Sequence, residues 1–190
     1  MIENGKGGAN TNANGLPFET CVLRNHQPGK KYFIGDKIFT FMKQGQFTKH
    51  MKDLKDPQWK HNKKPDGAYV SEDRKTLIII ECKYQKVHGT ADEKLKAGPC
   101  LAYEYKTLYP SVKHVHLMFI VNDWYKDKKY EIAIEHNKKS GIPVFFAKRK
   151  NVLKMFVNMK TRKITPFTSV HVVDEEAISD WMTERVLLSS

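Results

Sequence analysis

Apolar residues along the chain form short runs that are separated by polar segments rich in turn-forming residues. Residues 76–80 are a continuous β-branched and aliphatic run, which is long enough for a buried strand and too short for a helix. The polar residues 71–75 before it indicate a turn, and residues 67–70 form a second apolar run on the other side of that turn. The pattern therefore predicts a buried β-hairpin near the middle of the chain.

The same patterning predicts elements on both sides of this hairpin. Strands are predicted as a hairpin over residues 32–42 with Gly35-Asp36 at its turn, and as single runs over 114–121 and 142–147. Helices are predicted near residues 16–23, over 91–108 with a kink or split at Gly98-Pro99, over 128–140 before Gly141, over 151–159, and from the cap Asp174 to Leu188. Strands that alternate with helices after residue 90 indicate the α/β class, with a mixed central sheet flanked by helices. We expect a flexible segment over residues 1–14 and a single domain over 15–190.

Charged side chains gather where the central hairpin ends. Alternation along a strand puts Glu81, Lys83 and Gln85 on one face, and pairing around the turn brings Asp66 roughly opposite Glu81. Burying charges costs several kcal/mol unless they pair or bind a metal. The hairpin end is therefore either a functional site or an inert ion pair between Lys83 and one of the two carboxylates.

The order Pro65-Asp66, then Glu81-x-Lys83 after an apolar strand, resembles the PD-(D/E)XK nuclease superfamily. The acid-x-lysine pattern by itself recurs elsewhere, beginning at Asp53, Asp92, Glu104 and Asp127. None of those copies ends an aliphatic strand with Pro-Asp-Gly at hairpin distance upstream. The string GTADEKL at residues 89–95 is also similar to a feature of one branch of type II restriction endonucleases. The resemblance covers roughly residues 15–150 and implies a restriction-endonuclease-like core.

The resemblance also implies a metal and its ligands. Asp66 and Glu81 would bind Mg²⁺, with the backbone carbonyl of Cys82 as a third oxygen ligand. Lys83 would orient or help to deprotonate the attacking water and would stabilise the pentacovalent phosphorus.

Two further residues receive roles from the resemblance. Glu19 would correspond to a first-helix glutamate that points into the active site and could hold a second metal or its hydration shell. Its alternative role is to complement the helix dipole, which is worth about 0.3–1 kcal/mol. Gln85 would position the water or contact the nucleic-acid backbone.

Charge and cysteine content restrict the partners and the location. The formal net charge is +12, from 33 basic and 21 acidic residues, which favours a polyanion and puts nucleic acid ahead of membrane. Residues 44–64 are the densest basic stretch before the hairpin and are either a phosphate-contacting loop or a solvated surface. No apolar run is long enough for a membrane span, and we expect no signal peptide. Three scattered cysteines argue against disulfides and a zinc cluster and fit a reducing cytoplasm.

The functional prediction is a Mg²⁺-dependent DNA endonuclease of the type II restriction class acting on double-stranded DNA. One site cuts one strand, so we expect either a homodimer on a palindrome or a small cleavage subunit that serves a larger recognition subunit. The second arrangement resembles heterodimeric type IIS restriction enzymes. Two alternatives stay open: a repair, resolvase or transposition nuclease of the same superfamily, and a basic nucleic-acid-binding protein whose acidic pair is structural.

Overall fold

A computed structural model describes residues 17–86, 91–150, 154–157, 164–167 and 170–189. The flexible segment predicted over residues 1–14 lies outside these residues. None of the helices within the described ranges is long and apolar enough to cross a bilayer.

Nine strands and six α-helices make up the regular structure of the described residues. The strands are β1 (Lys31–Ile34), β2 (Lys37–Met42), β3 (Gly67–Ser71), β4 (Thr76–Lys83), β5 (His114–Asn122), β6 (Val144–Lys150), β7 (Lys154–Val157), β8 (Ile164–Phe167) and β9 (Val170–Val172). The helices are α1 (residues 17–22), α2 (Gln44–His50), α3 (Ala91–Lys96), α4 (Gly98–Leu108), α5 (Glu131–Lys139) and α6 (Glu175–Leu187).

One seven-stranded sheet, in the order β1-β2-β3-β4-β5-β6-β9, holds the fold together. Strands β1 to β4 are antiparallel neighbours, β4, β5 and β6 run parallel, and β9 closes the far edge antiparallel to β6. Parallel strands need a crossover, and α3 with α4 supplies it between β4 and β5. The predicted mixed α/β sheet with flanking helices is confirmed.

Alternation along β4 divides its side chains between two hydrophobic cores. Leu77 and Ile79 belong to the core that contains residues of α3, α4 and α5. Ile78 and Ile80 belong to the core that contains residues of α1 and α6. All four side chains are essentially inaccessible to solvent, which is the pattern of a strand covered on both faces. The residues that continue β4 are therefore held in a fixed register and a fixed orientation.

The helix predictions are largely confirmed. The helix predicted over residues 91–108 is divided at Ala97 into α3 and α4, with Pro99 in the first turn of α4, where a missing N–H costs nothing. Helix α5 is followed by Gly141 at φ 73°, a conformation that glycine adopts without strain. Helix α6 starts after Asp174, whose Oδ1 accepts a hydrogen bond from the Ala177 amide at 3.0 Å.

Two predictions in the last third of the chain are wrong. Residues 154–157, predicted within a helix, form β7, which pairs antiparallel with β8 in a separate two-stranded sheet. The strand predicted over residues 142–147 instead spans Val144–Lys150, and its last three residues, Lys148, Arg149 and Lys150, pair with β9. Short apolar runs do not distinguish a helix from a strand, because the partner strand that decides the outcome is distant in sequence.

Candidate active site

The β3–β4 hairpin brings the first acidic pair together. Gly67 pairs with Ile80, so the next pair outward is Asp66 with Glu81. Asp66 Oδ2 accepts a hydrogen bond from the backbone N–H of Cys82 at 2.7 Å. The carboxylate that precedes β3 is therefore fixed against the end of β4 by a charge-assisted bond.

Lys83 lies at the centre of three oxygen atoms. Its Nζ is 2.6 Å from Glu81 Oε2, 3.3 Å from the Cys82 carbonyl oxygen and 3.6 Å from Asp66 Oδ2. The side chains of Lys83, Glu81 and Asp66 are 11%, 13% and 22% exposed, so the ions are largely removed from water. The sequence resemblance assigns these three oxygens to a metal ion. In this structure they surround the ammonium group of Lys83.

The site carries an excess of negative charge. Burial, together with the nearby carboxylate of Asp66, raises the pKa of Glu81 above its usual value, although Lys83 opposes the shift. Burial also disfavours the ammonium form of Lys83, but the carboxylates of Glu81 and Asp66 outweigh burial and raise the pKa of Lys83. The neighbouring carboxylates favour the protonated form of acid and base alike, whereas burial favours the neutral form of each, so burial adds to the shift of Glu81 and opposes the shift of Lys83.

Glu19 on α1 reaches the same site. It is 9% exposed, and burial followed by the Asp66 carboxylate raises its pKa, while Lys43 and Lys83 oppose the shift. Lys43 Nζ lies 3.9 Å from Glu19 Oε1. The structure thus brings Glu19 beside Asp66 and adds a second cation, Lys43, that sequence reasoning missed. The pairing of Met42 with Ala68 places Lys43 next to the hairpin end, and nothing local distinguishes it from the other lysines.

Gln85 is held differently from Glu81 and Lys83. Strand β4 ends at Lys83, so strand alternation no longer fixes the direction of the Gln85 side chain. Its backbone is bound by Asn122 at the end of β5: the Gln85 N–H donates to Asn122 Oδ1 at 3.1 Å, and Asn122 Nδ2 donates to the Gln85 carbonyl at 2.8 Å. Asn122 was not predicted, although a polar residue that directly follows the apolar run of β5 could have drawn attention to it.

Helix α4 and the segment before Asp66 border the site. Burial, and then the carboxylates of Glu81 and Asp66, raise the pKa of the Tyr105 hydroxyl. Lys63 acts on Glu81 in the opposite direction and lowers its pKa. Lys63 Nζ is also 2.5 Å from Glu104 Oε2. The charged surroundings of Glu81 therefore include residues from α4 and from the basic stretch.

The basic stretch encloses a groove. The groove has a volume of about 660 Å³ and is lined by residues of α2 and of the loop that follows it, including Lys49, Lys52, Lys55 and Lys64. Lys64, which lines the groove, stands two residues before Asp66 in the sequence, so the backbone leads directly from the groove to the acidic pair. Four ammonium groups around one groove are an arrangement suited to phosphate groups.

The donor atoms fit Mg²⁺ in chemical type. Asp66, Glu81 and the Cys82 carbonyl supply hard oxygens, and their convergence on the Lys83 ammonium shows that they can surround one cation. Burial, followed by the charge of Asp66, raises the pKa of the Cys82 thiol well above its usual value. The Cys82 side chain packs against the core that contains residues of α1 and α6, so this residue offers the site its backbone carbonyl. Within the described ranges, no group of three or more His, Cys, Asp or Glu side chains is arranged to hold a metal. A metal ion at this position would rely on two carboxylates and a backbone carbonyl.

Comparison with known proteins finds a family model that matches part of the chain. Residues 34–117 match the family model of the PD-(D/E)XK nuclease superfamily domain. The match spans less than half of the chain and contains the hairpin with Asp66, Glu81 and Lys83, followed by α3 and α4. No curated protein and no solved structure matches the chain significantly. The matched domain, together with the mixed sheet, supports a nuclease with a restriction-endonuclease-like fold.

Proposed function

We propose that this chain is a Mg²⁺-dependent DNA endonuclease whose active site is the end of the β3–β4 hairpin. The observation that carries the proposal is the convergence of Asp66, Glu81 and Lys83 within the region that matches the nuclease domain. The net charge of +12 supports a polyanionic substrate. Three free cysteines support a reducing cytoplasmic location.

Asp66, Glu81 and the carbonyl of Cys82 would hold the metal ion. When bound, Mg²⁺ supplies a positive charge that neutralises the phosphate and lowers the pKa of a coordinated water. The Asp66 carboxylate keeps its hydrogen bond to the Cys82 amide, so its position is set by the backbone of β4. The negative surplus described above is what a divalent cation would compensate.

Lys83 acts as a charged stabiliser in this proposal. Its raised pKa keeps the ammonium protonated at neutral pH, so it can donate hydrogen bonds to a phosphoryl oxygen as negative charge develops there. A water positioned by Glu81 or Glu19 would attack from the other side of the phosphorus.

Glu19 and Lys43 would tune the charge of the site. The raised pKa of Glu19 makes its carboxyl a proton acceptor closer to neutral pH than an ordinary glutamate. Lys43 partly compensates this carboxylate, because its ammonium lies 3.9 Å from Glu19 Oε1 and opposes the rise in the pKa of Glu19. Glu19 is therefore proposed as a positioning residue for the attacking water, with Asp66 and Glu81 as the principal ligands.

At a finer level we propose a type II restriction endonuclease that cuts double-stranded DNA. The GTADEKL string supports this class. Because a single site cuts one strand, the chain would work as a homodimer or as the cleavage subunit of a larger recognition subunit. A repair, resolvase or transposition nuclease is the alternative within the same chemistry.

Plasmid cleavage with and without Mg²⁺ tests the proposal. Wild-type protein should convert supercoiled DNA only with the metal, and Asp66→Ala or Glu81→Ala should abolish conversion while retaining DNA binding. Asp53→Ala is the matched control, because Asp53-x-Lys55 copies the acid-x-lysine pattern at an exposed position paired with Arg74. Full activity in either hairpin variant, or equal loss in the control, would disprove the assignment.

A further inference from the structure

A slot lined by aromatic side chains lies beside the candidate active site. It has a volume of about 170 Å³ and is formed by Trp59, His61, Tyr103, Glu104, Thr107 and Leu108, which we call the aromatic slot. One wall comes from the loop that precedes Asp66. The other wall is a face of α4, where Tyr103 and Thr107 are one helical turn apart.

The rings of the aromatic slot are accessible to solvent. Trp59 is 37% exposed and Tyr103 is 71% exposed, although both side chains are large and apolar enough to gain from burial. Trp59 also contacts His61 edge to face, with ring centroids 6.1 Å apart. Two exposed aromatic rings that share one cavity mark a surface that can gain by stacking on a flat ligand.

The walls of the aromatic slot are fixed before any ligand arrives. The Asp56 N–H donates to the Leu108 carbonyl at 2.9 Å, and the Asp56 carboxylate accepts from the Gln58 N–H at 3.0 Å. On the other side, Lys63 and Glu104 form their 2.5 Å ion pair. The loop is thus attached to α4 on both sides of Trp59, so little ordering is needed on binding.

Positive charge surrounds the slot on the side of the active site. Lys63 stands between the slot and Glu81, since it pairs with Glu104 and acts electrostatically on Glu81. The same loop contributes Lys55 and Lys64 to the lysine-lined groove. Cations that contact phosphates, next to neutral rings that stack on bases, are the combination found in single-stranded nucleic-acid binding.

We propose that the aromatic slot takes up one unstacked nucleobase of the substrate strand, while the neighbouring lysines contact its phosphates. The inference rests on the proposed nuclease function and specifies the substrate: DNA in which a base near the cut site is already unpaired, at a single-stranded, bulged or mispaired position. Stacking on Trp59 and Tyr103 would be tolerant of sequence, because every base has a flat face. Release of one base is least costly at a mispaired or single-stranded position.

Binding of three fluorescein-labelled oligonucleotides tests the proposal. They share one strand and differ in pairing: single-stranded, fully paired, and paired with one bulged base. Fluorescence anisotropy is measured in EDTA and again with Ca²⁺ in place of Mg²⁺, so that an oxygen-binding divalent cation is present without the metal proposed for cleavage. The variants are Trp59→Ala, Tyr103→Ala and the conservative Trp59→Phe, and the control is Phe33→Ala, which removes an aromatic ring that is 83% exposed on β1.

Trp59→Ala and Tyr103→Ala should each weaken binding of the single-stranded and bulged DNA about 10-fold or more, the scale of one lost base stack. Binding of the fully paired DNA should change less than about 2-fold, because its bases are stacked within the duplex and none is available to the slot. Trp59→Phe should retain most of the affinity, and Phe33→Ala all of it. Tyr103 is so exposed that its replacement leaves the fold intact, which separates loss of stacking from loss of structure.

Two results would overturn the inference, and only one of them would also overturn the proposed nuclease function. If both alanine variants bind all three DNAs like wild type, or weaken all three equally, the slot does not hold a base and serves another partner, while the proposed nuclease function stands. If the wild-type chain binds none of the three DNAs, the proposed function fails and the inference fails with it.

Discussion

Lys83→Met would test the electrostatic design of the site most directly. Methionine keeps a long unbranched side chain and removes the ammonium, which contacts Glu81 Oε2 at 2.6 Å and the Cys82 carbonyl at 3.3 Å. The carboxylates of Glu81 and Asp66 would then face each other with no cation between them. We expect the metal-free protein to lose stability for this reason.

The size of this loss follows from burial. Removing one partner of a buried ion pair typically costs about 3–5 kcal/mol. The site is open on one side, since Asp66 is 22% exposed, so we expect the lower end, about 3 kcal/mol. In a chain of this length that loss lowers the melting temperature by roughly 6–12 °C. Protonation of Glu81, whose pKa is already raised, would moderate the loss at low pH.

A divalent cation should recover the loss, because it would occupy the same three oxygens. A ligand at about 100 times its dissociation constant stabilises the folded state by about 2.7 kcal/mol. Mg²⁺ should therefore raise the melting temperature of Lys83→Met more steeply than that of the wild type, in which the ammonium competes for Glu81. Calorimetry at neutral pH, in EDTA and then across a Mg²⁺ titration, measures both quantities.

Lys96→Met is the control, because Lys96 is 55% exposed and its salt bridge, among the residues that the structure describes, is to the exposed Glu93. It should change the melting temperature little and leave the Mg²⁺ dependence as in wild type. The reasoning is refuted if Lys83→Met is as stable as wild type in EDTA. Identical Mg²⁺ dependence in Lys83→Met and wild type would refute the shared cation position.

Two further changes test the packing and the pH dependence of the fold. Glu19→Gln should gain stability relative to wild type as pH rises from about 4.5 towards neutrality. The pKa of Glu19 in the folded state is raised above 4.5, so the wild type loses stability as this carboxyl ionises, whereas glutamine does not ionise. If chemical denaturation shows a stability difference that does not vary with pH, this reasoning is contradicted. Gly98→Ala should cost about 1–3 kcal/mol. A Cβ there would lie 1.9 Å from Asn137 Oδ1, while Asn137 is already bound to backbone carbonyls through Nδ2. Gly45→Ala, with no atom within 4 Å, should be neutral or stabilising, and equal melting temperatures for the two variants would refute the clash.

The hairpin and the position of its charges could be predicted because the information is local. A polar turn between two apolar runs sets the pairing register, and that register alone brings Asp66 opposite Glu81. Alternation along β4 then puts Lys83 on the same face as Glu81. Each step uses fewer than twenty consecutive residues, so no distant contact had to be known.

The other residues around the site depend on contacts between distant segments. Lys43 reaches Glu19 because β2 pairs with β3, and Asn122 binds Gln85 because β5 runs parallel to β4. Tyr105 faces the acidic pair because α4 packs on that side of the sheet. These contacts cannot be predicted from the sequence alone, because they depend on the order of the strands in the sheet. The error over residues 154–157 has the same cause, since β7 exists through its pairing with β8.

The distribution of charge explains why metal and DNA should depend on each other in this chain. The chain as a whole carries +12 and attracts a polyanion, yet its candidate active site holds three carboxylates with the two ammonium groups of Lys43 and Lys83. A phosphate drawn in by the lysine-lined groove would meet net negative charge at the hairpin end. Mg²⁺ held by these carboxylates would offset that repulsion, and a nearby phosphate would in turn strengthen the binding of the ion. Each ligand should thus raise the affinity of the other by the same factor, because coupling between two binding sites is reciprocal.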